Sequence, residues 1–237
     1  MSMKLIVVAG PPSVGKTSVI KRMIGHILAR SKVAYLKVDV MRAFEDEELA
    51  AEFGIPTKKI YSGDLCPDHM GIMVIKDALE WAASEGAEFL IFESAGLCLR
   101  CTPYVTQSLG ICVLSAVSGT HTPLKMSPMI ALADIAVVTK IDLISQAEKE
   151  VFREHIRQVT PDMDIVETNA VQGTGMKYLF RAVDALAHIS EDEAVMLRGS
   201  PPLGVCTICV GKKEIGWQEH FGIIRRLEDG DNIFRGE

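Results

Sequence analysis

Short β-branched runs alternate along the chain with longer stretches in which apolar residues recur at helical spacing. The runs predict strands over Lys4 to Ala9, Val33 to Val38, Phe89 to Glu93, Ile111 to Val117, Ile135 to Thr139 and Ile165 to Thr168. Between them the periodic segments predict helices over 16–30, 45–53, 68–84, 124–132, 145–159 and 175–188, with Ser145 ahead of Glu148 at capping-box spacing. Alternation of this kind builds an α/β fold, a mostly parallel sheet covered by helices on both faces. The pattern breaks at SEDEAVMLRGSPP, where an acidic patch and then Gly-Ser-Pro-Pro interrupt the periodicity. The expected organisation is one domain over 1–192 and a small cysteine-containing C-terminal extension, 201–237, packed upon it. That extension is too short to hold a core alone.

Composition narrows the function classes. A chain of 237 residues that is 48% apolar can bury one substantial core. The net charge of −6 and pI near 5.6, with scattered lysines and arginines, leave no footprint for a nucleic-acid backbone. No apolar run reaches the roughly 18 to 20 residues of a membrane span, and MSMKLIVVAG leads into a glycine-rich loop and not into a cleavable signal. The expected location is cytoplasmic, with neither nucleic acid nor membrane as a partner. In that reducing compartment six cysteines remain thiols, so pairs set by spacing point to metal or redox chemistry.

The stretch GPPSVGKTS matches G-x-x-x-x-G-K-[ST] and stands between a predicted strand and a predicted helix, as its mechanism requires. Gly10, Pro11, Pro12, Ser13, Val14, Gly15, Lys16, Thr17 and Ser18 would wrap phosphates with successive backbone N–H groups at a positive helix end. Lys16 can reach the terminal phosphates, and Thr17 can ligate Mg²⁺. The pattern predicts binding of a nucleoside triphosphate.

The base is read from VVTKIDL. Thr139, Lys140 and Asp142 follow a predicted strand, and a carboxylate at Asp142 can accept from both N1–H and the exocyclic amine of guanine. Adenine offers no such pair of donors, so GTP and GDP are the expected ligands. GTPases usually place Asn where this chain has Thr139. Within TNAVQGTGM, Asn169 or Ala170 could back the base with a backbone N–H.

The order of these pieces resembles the metallocentre-assembly GTPases, the group of P-loop proteins containing the hydrogenase nickel-insertion and urease accessory GTPases. The resemblance covers about residues 4–188. It rests on the phosphate loop, on TKID, and on KVDVMRAFEDEELAAEFGIP, which is similar to a first switch segment. IYSGDLCP, FESAG and the closing GTGM complete it. It implies a P-loop NTPase that hydrolyses GTP with Mg²⁺, forms a nucleotide-dependent homodimer and serves a client metalloenzyme or an accessory protein. Asp39 then resembles a switch aspartate that holds Mg²⁺ or orients the attacking water, Glu93 an acidic residue on the metal side, and Gly96 the glycine whose N–H senses the γ-phosphate. Cys66 and His69 stand where nickel-handling relatives carry Cys-His or Cys-Pro-His, a pair suited to Ni²⁺ or Zn²⁺ shared between two subunits. The match is imperfect, because Asp68 follows Pro67 and His69 comes one position late.

Two C-x-x-C pairs remain, Cys98 with Cys101 and Cys206 with Cys209. Together they offer four thiolates for a tetrahedral Zn²⁺ or an iron–sulfur cluster, with the tail folded back onto the second switch. Cys112, inside a predicted strand, reads as core. Two functions stay open: a GTP-hydrolysing maturation factor that binds or delivers a metal, nickel first among the candidates, and a nucleotide-binding regulatory switch with a structural or redox-sensing zinc or iron–sulfur site.

Overall fold

A computed structural model describes residues 3–40, 44–63, 66–190, 194–200, 213–216 and 232–233. In chain order the elements are β1 (Lys4–Ala9), α1 (Lys16–Leu28), β2 (Val33–Asp39), α2 (Glu45–Phe53), β3 (Thr57–Tyr61), α3 (Pro67–Ser84), β4 (Phe89–Glu93) and β5 (Ser108–Ser115). There follow α4 (Thr122–Lys125), α5 (Ser127–Ile130), β6 (Ile135–Thr139), α6 (Gln146–Val159), β7 (Asp164–Glu167), α7 (Met176–Ala185) and β8 (Asn232–Ile233). The strands form one sheet in the order β7-β6-β5-β1-β4-β2-β3-β8. Every described pairing between these strands is parallel.

Alternation along the strands explains why both faces are covered. On β1, Leu5, Val7 and Ala9 enter one core with α3, α5 and α6, while Ile6 and Val8 enter a second core with α1 and α7. Strands buried on both faces read as continuous apolar runs, which is why KLIVVA, FLIFE and IAVVT were legible as strands. Helix α6 starts as its sequence requires. The Ser145 backbone N–H donates to Glu148 Oε2 at 2.8 Å, and the Glu148 N–H returns a bond to Ser145 Oγ at 3.3 Å.

The structure adds β8, which is not among the predicted strands, and departs from the sequence reading in three further places. Strand β3, TKKIY, is not among the predicted strands, since two adjacent lysines interrupt its apolar pattern, yet Lys58 and Lys59 are both buried. Lys59 pairs with Asp46 at 3.3 Å and Glu47 at 3.2 Å, and the Lys58 amine lies over the Trp81 ring. Their stems pack while their charges find partners. The helix expected over 124–132 is two short helices, since Pro128, in the first turn of α5, has no N–H to continue the first. Strand β5 begins at Ser108 and ends at Ser115, where a 3-10 turn takes over.

Past α7 the described residues lie against the main body. Arg198 donates to the carbonyls of Ser108, Val105 and Leu132 at 2.6, 3.0 and 3.0 Å and pairs with Asp134 at 2.7 Å. The Gly216 N–H reaches the Ile72 carbonyl, and β8 pairs with β3. Among the described residues no helix is long and apolar enough to cross a membrane.

Candidate functional site

Parallel strands deliver their carboxyl ends to one edge of the sheet, and ligands in such folds bind there. The loop from β1 to α1 occupies this edge beside β4 and β5. Gly10 has φ of 155°, and a Cβ there would stand 2.2 Å from the Val113 carbonyl oxygen, so this turn admits glycine alone. Lys16 opens α1 and folds back so that Nζ donates to the Gly10 carbonyl at 2.9 Å and the Pro11 carbonyl at 3.2 Å. No side chain caps the start of α1, and its first turn carries no acidic residue, which leaves the N–H groups and helix dipole to an anion. Thr17 and Ser18 follow, both half-buried.

Carboxylates gather beside Lys16. Glu93 ends β4 almost fully buried and accepts from the Tyr35 hydroxyl at 2.7 Å. Burial raises its pKa above the ordinary carboxylate range, against the pull of Lys16 and Lys37. Burial likewise lowers Lys16, with Glu93 opposing. Asp39, at the end of β2, accepts from the Val40 N–H at 2.7 Å and pairs with Lys37 at 3.2 Å. Lys37 also pairs with Glu45 at 3.0 Å. Although burial pulls Lys37 down, Glu93, Glu45 and Asp39 outweigh it and hold the amine above the usual lysine range. Sequence reasoning named Asp39 and Glu93 but missed Tyr35, Lys37 and Glu45. One signal was available: period-two spacing puts Tyr35, Lys37 and Asp39 on the same face of β2. Only the sheet register, which sets Lys37 beside Glu93, makes them one network.

The TKID segment meets the phosphate loop from the other side. Thr139 is buried, and its hydroxyl lies 2.5 Å from the Val14 carbonyl and 3.2 Å from that of Leu114. A hydroxyl has one proton, and the shorter contact receives it. Lys140 adopts φ of 57°, and its amine donates to the Ser13 carbonyl at 2.9 Å. Asp142 stands exposed in a 3-10 turn. In the neighbouring loop Asn169 Oδ1 accepts from the Gln172 N–H, and the Ala170 carbonyl accepts from Arg22 Nε at 2.9 Å.

The cysteines are regrouped by the fold. Cys66, Cys98 and Cys101 place their sulfur atoms within 4.8 Å of one another. Cys66 and Cys98 are half-buried and Cys101 is buried. His69, expected as the partner of Cys66, is not part of this group: it lies buried in the first turn of α3, whereas Cys66 is the residue that precedes the helix. Cys206 and Cys209 lie outside the described residues. Hydrogen bonds from Cys101 and Cys66 pull the Cys98 thiol far below the usual thiol range. Cys101 is raised by its bonds to Cys66 and Cys98 and by burial, and Cys66, which Cys101 pulls down, is raised on balance by Cys98 and burial. Three soft donors at this spacing are compatible with a tetrahedral ion, whose ligand sulfurs stand ~3.8 Å apart when each is ~2.3 Å from the metal. Cys112 is fully buried in β5, and burial alone pushes its thiol up to about 12.

Asp68 links this group to the phosphate loop, and sequence reasoning registered it only as a departure from Cys-Pro-His. Its carboxylate is fully buried. Oδ1 accepts from the Ser94 hydroxyl and from the Gly96 N–H at 2.9 Å, and Oδ2 accepts from Leu97 N–H at 2.9 Å and Cys98 N–H at 2.6 Å. Gly96 in turn has φ of 70°, and a Cβ there would fall 2.1 Å from the Gly10 carbonyl oxygen. The loop after β4 is therefore wedged between the phosphate loop and the start of α3.

Residues 4–167 match the nucleotide-binding domain family described as CobW/HypB/UreG. The chain is 40% identical, over 99% of its length and all of the relative's, to an uncharacterised protein of Methanocaldococcus jannaschii. It is 25% identical to the hydrogenase maturation factor HypB of Azotobacter vinelandii over 74% of this chain and 58% of that one, so it spans less than two thirds of that relative. Among solved structures, HypB of Archaeoglobus fulgidus superposes with a TM-score of 0.62 at 20% identity, covering 77% of this chain and 89% of that one. HypB of Helicobacter pylori in complex with nickel gives a TM-score of 0.62 at 19% identity over 80% of this chain and 92% of that one.

Proposed function

Because the chain belongs to the CobW/HypB/UreG family of nucleotide-binding P-loop proteins, we propose that it is a GTP-hydrolysing metallocentre maturation factor that couples its nucleotide state to binding or delivery of a transition metal. One observation carries the reading: the loop that bears Cys98 and Cys101 also bears Gly96, which packs on Gly10 of the phosphate loop.

In this proposal Gly10 to Ser18 cradle the phosphates, and Lys16 neutralises charge at their outer end. Thr17, Asp39 and Glu93 are the oxygen donors for Mg²⁺, a hard ion suited to such ligands. Held by these three side chains, Mg²⁺ would supply the positive charge that offsets what develops on the phosphates as the terminal bond breaks. Asp39 and Glu93 orient the attacking water, while Thr139, Lys140, Asp142, Asn169 and Ala170 hold and read guanine.

The cargo ion meets Cys66, Cys98 and Cys101. Two half-buried sulfurs favour exchange over permanent retention, and the nickel complex of the Helicobacter pylori relative supports Ni²⁺ as cargo. A fourth ligand comes from a second copy in a GTP-dependent homodimer, from His69, or from Cys206 and Cys209 of the 201–237 extension. Four permanent thiolates would instead make a zinc or iron–sulfur regulatory switch. The client is a metalloenzyme or its accessory protein.

Anaerobic metal analysis with a visible spectrum, on protein carrying GDP or a GTP analogue, separates these readings. About one Ni²⁺ per metal site, bound in one nucleotide state and released after GTP hydrolysis, is the expected result. A brown chromophore retained through turnover, or no hydrolysis of GTP, overturns it.

A further inference from the structure

Asp68 sits in the first turn of α3, two residues after Cys66, where a carboxylate ordinarily serves the free N–H groups of its own helix. Its bonds run elsewhere. Two carboxylate oxygens offer about four lone-pair positions, and Ser94, Gly96, Leu97 and Cys98 fill them from the loop after β4. The carboxylate thereby sets the position of the Cys98 backbone relative to the helix start that carries Cys66.

The same loop faces the nucleotide pocket. Gly96 lies against the Gly10 carbonyl, and this carbonyl also receives the Lys16 amine, the group that reaches for terminal phosphates. One N–H makes one strong bond at a time. A terminal phosphate oxygen that draws the Gly96 N–H takes it from Asp68 Oδ1, and the peptide that turns is joined directly to Leu97 and then Cys98. A diphosphate has no oxygen there to compete.

We propose that Asp68 is the positioning residue through which the nucleotide pocket and the thiol group sense one another, by trading its bond to Gly96 and so moving Cys98 relative to Cys66. This rests on the reading of the site as a GTP-binding, metal-handling one. Coupling of this kind is reciprocal: the factor by which a triphosphate changes ion affinity is the factor by which the ion changes triphosphate affinity.

The test uses the full chain, Ni²⁺ alone as the probe, and Mg²⁺ with GDP or GTPγS. Nickel affinity is read from thiolate-to-metal charge-transfer absorption, in the parent and in Asp68→Asn, whose amide presents donors to the N–H groups that the carboxylate accepts. The parent is expected to show Ni²⁺ dissociation constants that differ between nucleotide states by about 5- to 150-fold, and Asp68→Asn to bring that ratio within about twofold while still binding both ligands. An Asp68→Asn protein that keeps the parent ratio overturns the inference and leaves the maturation reading standing. A parent that binds no nickel, or binds it equally in both states, overturns both. Should Asp68→Asn fail to fold, the amide resonances of Gly96 and Cys98 in the parent decide: both shift together between GDP and GTPγS if Asp68 trades its bonds, and neither shifts if it does not.

Discussion

The Thr139 hydroxyl donates to the Val14 carbonyl at 2.5 Å, across 125 residues of sequence. The short side chain does a tie's work between the base-side strand β6 and the phosphate loop, where an Asn would have had more reach. The consequence is that β6 and the loop approach closely, with the Thr139 methyl 3.6 Å from where a Gly15 Cβ would stand.

Thr139→Val keeps the shape and removes the donor, leaving the Val14 carbonyl without its proton. A buried polar group left unmade costs about 1–3 kcal/mol. Binding of a fluorescent GDP analogue is expected to weaken correspondingly, and Thr139→Ser to restore most of it. Equal affinity for all three proteins would show that the tie does not support the pocket.

Asp142→Asn replaces a charged acceptor in the base-reading turn. A hydrogen bond to a charged group is worth about 1.5–3 kcal/mol, so GDP should bind roughly 10- to 150-fold more weakly while ATP binding stays put. Competition titrations with both nucleotides measure this. Unchanged discrimination would place the base elsewhere.

Replacing Cys66, Cys98 or Cys101 singly by Ser should cost at least a hundredfold in Ni²⁺ or Co²⁺ affinity, since loss even of a group that merely supports a ligand costs 10- to 100-fold. Cys112→Ser, far inside β5, should leave metal binding intact and lower thermal stability instead. The pair Cys206→Ser and Cys209→Ser reports whether the tail completes the site. Metal retained by the Cys66 variant would remove it from the set.

Glu93 carries a pH signature. Burial raises its carboxyl, so above the ordinary carboxylate value the unfolded chain is ionised while the folded one still holds its proton. The unfolded state then binds fewer protons, and stability falls as pH climbs from about 4.5 through the raised value. Glu93→Gln cannot ionise and keeps an acceptor for Tyr35. Its melting temperature should move upward relative to the parent as pH goes from 4 to 7, by about 2–4 °C for each kcal/mol in a chain of this size, while GTP hydrolysis is lost. A difference that stays constant with pH refutes the assignment.

Lys37→Met leaves Asp39, Glu45 and Glu93 facing one another. Fully buried pairs cost about 3–5 kcal/mol to break, and with both ion-paired carboxylates partly exposed about 2 kcal/mol is expected here. Mg²⁺ with GDP should recover part of the lost melting temperature by supplying the missing positive charge. A variant as stable as the parent without Mg²⁺ would mean that Lys37 does not balance this edge.

How much of this was legible depends on whether each feature is local. The phosphate loop is contiguous: glycines, a lysine and a hydroxyl at set spacing specify their geometry through the backbone, and the runs KLIVVA, FLIFE and IAVVT declare strands because both of their faces are buried. Ser145 and Glu148 announce a helix start for the same reason, since each finds its partner three residues away. Where a residue's partner is distant the sequence was silent or misleading. TKKIY carried no strand signal because the Lys59 partners, Asp46 and Glu47, lie on another element, and Lys37 gave no sign of facing Glu93 across the sheet register.

The thiols mark the boundary most clearly. Spacing joined Cys98 to Cys101, and the family resemblance set Cys66 apart with His69. Tertiary structure brought Cys66 to the pair instead, because β4 and α3 pack so that the loop after one closes over the start of the other, and because a buried carboxylate at Asp68 must find donors wherever the fold supplies them. Sequence determined which ligands and phosphate-binding groups this protein owns, through backbone geometry written in neighbouring residues. Which of them meet was decided by packing, since sulfur and carboxylate carry no mark of the distant element they will touch.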